Sequence, residues 1–165
     1  MFGSKNHQSG FTLIELMIAV AIIGVAMAIA IPNFTRMYID YEAKATASEI
    51  TRFLVLARTR AQTTNQTLNV QIVFTNGLVQ MAAINFAGTQ VFRNGFDAVN
   101  MAPFTFNNGA IANGGVVQFN SVGFRTSAPG TGVQTIIVGG ALAGTPTTRY
   151  QINIAPSGTS GLVRL

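Results

Sequence analysis

Residues 11–31 read FTLIELMIAVAIIGVAMAIAI, a run of 21 in which Glu15 is the one charged side chain. A helix rises about 1.5 Å per residue, so this run spans roughly 30 Å, the thickness of a bilayer's hydrocarbon core. A secretory signal has an apolar region of about 7–15 residues followed by a small-residue cleavage site. Here the run is longer and closes at Pro32-Asn33. A soluble core helix shows a polar face within a few turns, and this stretch has none. The reading is a transmembrane helix. Glu15 then needs a reason, since an acid near a helix centre costs on the order of 3 kcal/mol to insert and intramembrane ionisable groups are usually functional. It stands one turn in from the start, where snorkelling lowers the cost. A carboxylate hydrogen-bonded within its own helix is the plain structural reading.

The full chain has 165 residues, enough for one compact domain and one appended element. Hydrophobic residues make up 48% and charged residues 9%, against about 25% charged in an average soluble domain. Part of the chain is therefore built to lie in lipid or against other chains. Ten Lys+Arg face five Asp+Glu, a net charge of +5, and removing Lys5 with the first ten residues leaves 9 against 5, or +4. The cations are scattered, so no run focuses a field on nucleic acid or lipid headgroups. The chain has no cysteine, which excludes disulfides, thiolate metal sites and thiol catalysis.

Gly10 followed by Phe-Thr-Leu-Ile-Glu, then an apolar run closing at Ile31-Pro32, resembles the class III leader and N-terminal helix of type IV pilins and pseudopilins. The resemblance implies a leader at residues 1–10, cleaved between Gly10 and Phe11 by a prepilin peptidase, with N-methylation of Phe11. It implies a transmembrane and filament-core helix over residues 11–32 and a globular pilin-like domain over 33–165, with single-pass anchoring in a bacterial inner membrane before assembly into a filament. The partners it implies are other pilin or pseudopilin subunits, the peptidase, an inner-membrane assembly platform and membrane lipid. In the family the Glu15 carboxylate faces the Phe11 amine of a neighbouring subunit. Two opposite charges close together in a low dielectric attract by several kcal/mol and offset their desolvation. Pro32, lacking an N–H, is expected to kink or loosen the helix. Ala19, Ala21, Gly24, Ala26, Ala28 and Ala30 permit close helix approach.

Beyond the apolar run, Phe34, Met37, Tyr38, Tyr41, Ala45, Ile50, Phe53, Leu54, Ala57 and Ala61 recur at spacings of three and four, which predicts an amphipathic helix over about 33–62. After Thr63-Thr64-Asn65 the period becomes two: Leu68, Val70, Ile72 and Phe74 alternate up to Asn76-Gly77, a strong hairpin signal, before Leu78 to Phe86. Further strands are expected at Gly115–Asn120, Val122–Arg125, Val133–Val138, Arg149–Ile154 and Leu162–Leu165. Gly88–Gly114 and Gly139–Thr148, rich in Gly, Asn and Ala, read as loops. The expected fold class is α+β, one long N-terminal helix packed against an antiparallel sheet spanning about 66–165.

Leu56-Ala-Arg58-Thr-Arg60-Ala61, Val117-Gln-Phe119-Asn-Ser-Val-Gly123 and Ile152-Asn-Ile-Ala-Pro156-Ser-Gly158 running to Gly161-Leu-Val-Arg164 are similar to the GspH/FimT group of minor pseudopilins and minor pilins. DNA-binding members of that group end in Gly-Arg-any-Arg, whereas Leu162 stands at the first arginine's place here. Each lost phosphate contact weakens such binding. An assembly role is therefore the leading expectation. Capture of DNA or another ligand through Arg58, Arg60, Arg125, Arg149 and Arg164 is the alternative, and a major pilin subunit is another. A calcium site like that of major pseudopilins needs several carboxylates, and after Glu49 only Asp97 remains. No catalytic residue or cofactor is expected. His7, the one histidine, lies in the leader, and Ser157 and Ser160 sit in a Gly-rich turn with no base to activate them.

Overall fold

The computed structural model describes residues 11–98, 101–102, 104–106, 109–110, 115–126, 133–142 and 145–165. Gly10 and the rest of the leader lie outside them. Helix α1 runs from Leu13 to Thr64. Its start is set by Thr12 and Glu15, spaced as a capping box: the Glu15 N–H donates to Thr12 Oγ1 (3.3 Å) and the Thr12 N–H donates back to Glu15 Oε2 (2.9 Å). Its end is closed by Asn65 at φ 51°. The Gln66 N–H reaches the Ala61 carbonyl (3.1 Å) and the Asn65 N–H that of Gln62 (3.3 Å), the paired bonds of a Schellman stop. Pro32 lies within α1, and the helix runs uninterrupted past it. Its missing N–H removes the bond to the Ala28 carbonyl.

The chain divides into two compact units between Thr35 and Arg36. In the first, residues 11–35 are exposed apart from a half-buried Ala30, and the apolar window of α1 is long enough to cross a membrane with none of it buried. The second holds the core. Here the helix presents Ile39, Ala43, Thr46, Ala47, Ile50, Phe53, Leu54, Ala57 and Ala61 inward. The expected apolar face holds from Ile50 onward and fails before it: Met37, Tyr38 and Tyr41 are 65%, 60% and 73% exposed, and Ala45 is exposed too. Small Ala43 and Ala47 take the inward positions because they let the helix axis lie close to the strands.

The strands are β1 (Leu68–Thr75), β2 (Leu78–Asn85), β3 (Gln90–Asp97), β4 (Thr105–Phe106), β5 (Gly109–Ala110), β6 (Gly115–Phe119), β7 (Gln134–Leu142), β8 (Thr145–Ile154) and β9 (Ser160–Arg164). They form two antiparallel sheets where one was expected, ordered β3-β2-β1-β6 and β5-β4-β7-β8-β9. Leu68, Val70, Ile72, Val79, Met81, Val117 and Phe119 of the first sheet join Ile136, Val138, Ile152 and Ile154 of the second in one core with the helix. The Asn76-Gly77 turn is as expected: both residues have positive φ (51° and 75°) and Thr75 pairs with Leu78, the two-residue hairpin geometry.

Three expectations are corrected. Gln90–Asp97 is a strand although it falls in an expected loop; as an edge strand, mostly exposed and bulged opposite Ala83/Ile84, it carries no clean alternation. Val122–Arg125 is a turn, because Asn120 Oδ1 accepts the N–H groups of Val122 (3.1 Å) and Phe124 (2.8 Å) and Gly123 takes φ 87°; only a bridge of Arg125 to Phe119 remains. The stretch expected to loop from Gly139 is largely strand, with a register shift between Gly139 and Ala141, where glycines hide any period.

Candidate assembly site and the arginine positions

At the amino end of α1 the Glu15 carboxylate is held from one side. Thr12 gives it both its backbone N–H and its hydroxyl, each 2.9 Å from Oε2. The carboxylate thus completes the cap, satisfying a helix N–H that lipid could not, and sits at the positive end of the helix dipole. Phe11 beside it is 89% exposed. The intrahelical reading of Glu15 and the intersubunit one are compatible, since Thr12 engages a single carboxylate oxygen. Thr12 is not among the expected site residues, although its Thr-x-x-Glu spacing to Glu15 is plain in the sequence. A Cβ on Gly24 would meet nothing within 4 Å.

The five arginines considered for nucleic acid are dispersed. Arg58 and Arg60, two residues apart on α1, point about 160° away from each other. Arg58 is half-buried, and its Nε donates to the Gly123 carbonyl (3.1 Å). Gln62, one turn on, donates to the Val122 carbonyl (2.9 Å). Together they clamp the Asn120–Phe124 turn to the helix. Arg125 is buried, and its N–H donates to the Pro156 carbonyl (3.0 Å). Arg149 and Arg164 stand on neighbouring strands, where the Leu165 N–H donates to the Arg149 carbonyl (2.9 Å), but Arg164 pairs with Tyr150, so the Arg149 side chain lies on the other face of the sheet. Arg60, Arg149 and Arg164 are exposed.

Arg164 forms part of a latch. Its guanidinium lies 3.5 Å from Asp40 Oδ2, and the Tyr150 hydroxyl donates to Asp40 Oδ1 (3.0 Å). The latch fastens β8 and β9 to α1. Burial, reinforced by the bond to Asp40, holds the Tyr150 phenol above its ordinary pKa. Among the described residues no three His, Cys, Asp or Glu side chains are placed to share a metal ion.

Residues 5–31 match the prokaryotic N-terminal methylation motif. Behind that motif a long helix packs on antiparallel sheets, and in both respects the chain is similar to type IV pilins and pseudopilins. Its fold resembles the minor pseudopilin EpsH from the Type 2 Secretion System of Vibrio cholerae (TM-score 0.53, 17% identity, covering 74% of this chain and 97% of that one). It also resembles the type IV minor pilin FimU of Pseudomonas aeruginosa (TM-score 0.52, 15% identity, 74% and 89%). In sequence, the prepilin peptidase-dependent protein A of Clostridium perfringens is 31% identical over 88 residues, half of this chain and 61% of that protein. A fimbrial protein of Moraxella nonliquefaciens is 59% identical over 44 residues, 27% of this chain and 26% of that one. The matched part thus spans about a quarter to three fifths of those relatives' length.

Proposed function

We propose that this chain is a minor pilin or pseudopilin subunit, processed between Gly10 and Phe11, N-methylated at Phe11, held in the inner membrane by residues 11–32 and then packed into a type IV pilus or a type II secretion pseudopilus. The observation that carries the reading is an apolar helical segment, unburied by its own chain, that begins with a capped, oriented carboxylate. Its work is packing. The Phe11 amine of one subunit and Glu15 of its neighbour set the register, while Ala19, Ala21 and Gly24 let helices approach. Pro32 loosens the helix by the bond it removes. The globular unit lies outside the cytoplasm. Its partners are sibling subunits, the prepilin peptidase and the membrane assembly platform. The dispersal of the arginines and the internal engagement of Arg58 favour assembly over DNA capture.

The test is Glu15→Ala in cells that carry the assembly machine, scored by the amount of this chain in sheared filaments. Loss of incorporation with normal membrane levels and a correct mature mass is expected. Normal incorporation would overturn the charge-pair account.

A further inference from the structure

A groove of about 550 Å³ lies between α1 and β3 within the globular unit. Its floor is apolar: Phe53 and Phe92, whose rings pack 4.9 Å apart, together with Leu56 and Val91. Its rim is cationic, with Arg52 and Arg60 of α1, while Arg93 borders it from the outer face of β3, between Phe92 and Asn94, which face the helix. Leu56 is 54% exposed, so the helix leaves an apolar side chain uncovered beside the cations. Arg52 meets Glu49 at 3.6 Å in an exposed pair, a weak contact in water. Among the described residues Arg60 and Arg93 have no ion-pair partner.

β3 ends its sheet. One row of its backbone donors and acceptors therefore has no strand partner among the described residues, the arrangement to which an extended peptide adds. We propose that the groove binds an extended acidic segment of another protein, laid along the edge of β3, with carboxylates on Arg52 and Arg60 and an apolar side chain on Leu56 and Phe92 on one face, and a carboxylate on Arg93 on the other. A second copy of this chain does not supply such a segment: its five acids are Glu15, Asp40, Glu42, Glu49 and Asp97, four of them on α1 and the last on β3 itself. A nucleic acid fits less well, because Glu49 lies in the lining and Glu42, Glu49 and Asp97 border the adjoining hollow. A phosphate backbone following the groove would run into those carboxylates, whereas a short acidic stretch stops at the arginine end.

The groove's binding does not depend on filament assembly, so its test stands apart from the test above. Full-length chain in detergent micelles is titrated into a fluorescent peptide alternating Glu and Thr around one central Leu, with anisotropy as the readout. A peptide with Gln for every Glu and a single-stranded oligonucleotide are run in parallel. The acidic peptide is expected to bind and to weaken as salt rises. The Arg60→Gln/Arg93→Gln variant should weaken it by about tenfold or more, Leu56→Asp should abolish it, and Lys44→Gln, an exposed change outside the groove, should leave it unaltered. Equal binding of the Glu and Gln peptides, an unaffected double arginine variant, or tighter binding of the oligonucleotide through the same arginines would overturn the proposal. Melting temperatures of the variants, all at exposed positions, should match the parent.

Discussion

Gly158 stands at φ 79° in the turn before β9, a conformation that side chains other than Gly rarely adopt. A Cβ there would run into the Gly123 carbonyl and reach within 3.1 Å of Arg58 Nε, at the point where Arg58 clamps the Asn120–Phe124 turn. Gly158→Ala should therefore lose at least about 2 kcal/mol, lowering the thermal midpoint by about 4–8 °C. Gly161→Ala, whose Cβ meets nothing within 4 Å, should change little. Equal midpoints for the two would refute this packing account. The turn itself was legible in Pro156-Ser-Gly158, but its contact with Arg58 joins residues far apart in the chain, which no local pattern reports. Tyr150 carries a pH signature. Its folded pKa is raised, so the neutral phenol is favoured by the fold; the stabilisation is fully present below the unfolded value near 10 and is lost as pH rises through the higher folded value. Tyr150→Phe should cost about 1–2 kcal/mol at neutral pH by removing the bond to Asp40 and should flatten the alkaline loss of stability. Denaturant melts across pH check both.

The helix and strands show where periodicity suffices. Asn76-Gly77 requires two positive-φ residues and has them, so the hairpin could be placed to the residue. β3 could not, because an exposed edge strand has no buried face to impose alternation. On α1 the expected stripe began at Phe34 and Met37 because large apolar residues dominate any pattern count, while the inward positions there are filled by Ala43, Thr46 and Ala47. What decides the rotation is the close approach of helix and sheets, a tertiary distance. This makes a direct prediction: Ala47, fully buried, has no room to grow. Ala47→Leu should destabilise by about 1–3 kcal/mol through overpacking despite the good helix propensity of Leu, whereas Ala45→Leu on the exposed side should be close to neutral. Chemical denaturation of the two variants in one buffer separates propensity from packing.

In the whole molecule, the rotation that turns Ala43, Thr46 and Ala47 inward leaves a surface of α1 uncovered. Met37 and Tyr38, adjacent, and Tyr41, three to four residues on, lie on one side of α1, each at least 60% exposed, with no role in the chain's own core. A stripe of that size is a place for other chains to pack, and the filament reading supplies them: neighbouring subunits whose helices run alongside. Aromatic side chains with a polar tip suit a contact that is wet before assembly and buried after it. A charge placed there should thus be harmless to the monomer and harmful to the filament. Met37→Glu/Tyr41→Glu is expected to keep the parent's melting temperature within about 1 °C, because exposed substitutions shift stability by less than about 0.5 kcal/mol. Its amount in sheared filaments should fall severalfold while membrane levels hold. The decisive comparison is with Gln80→Glu, an exposed change on β2, away from α1. If both variants incorporate alike, the stripe is only a solvated surface; if the first alone fails, the side of α1 that its own domain leaves uncovered is the one its neighbours cover.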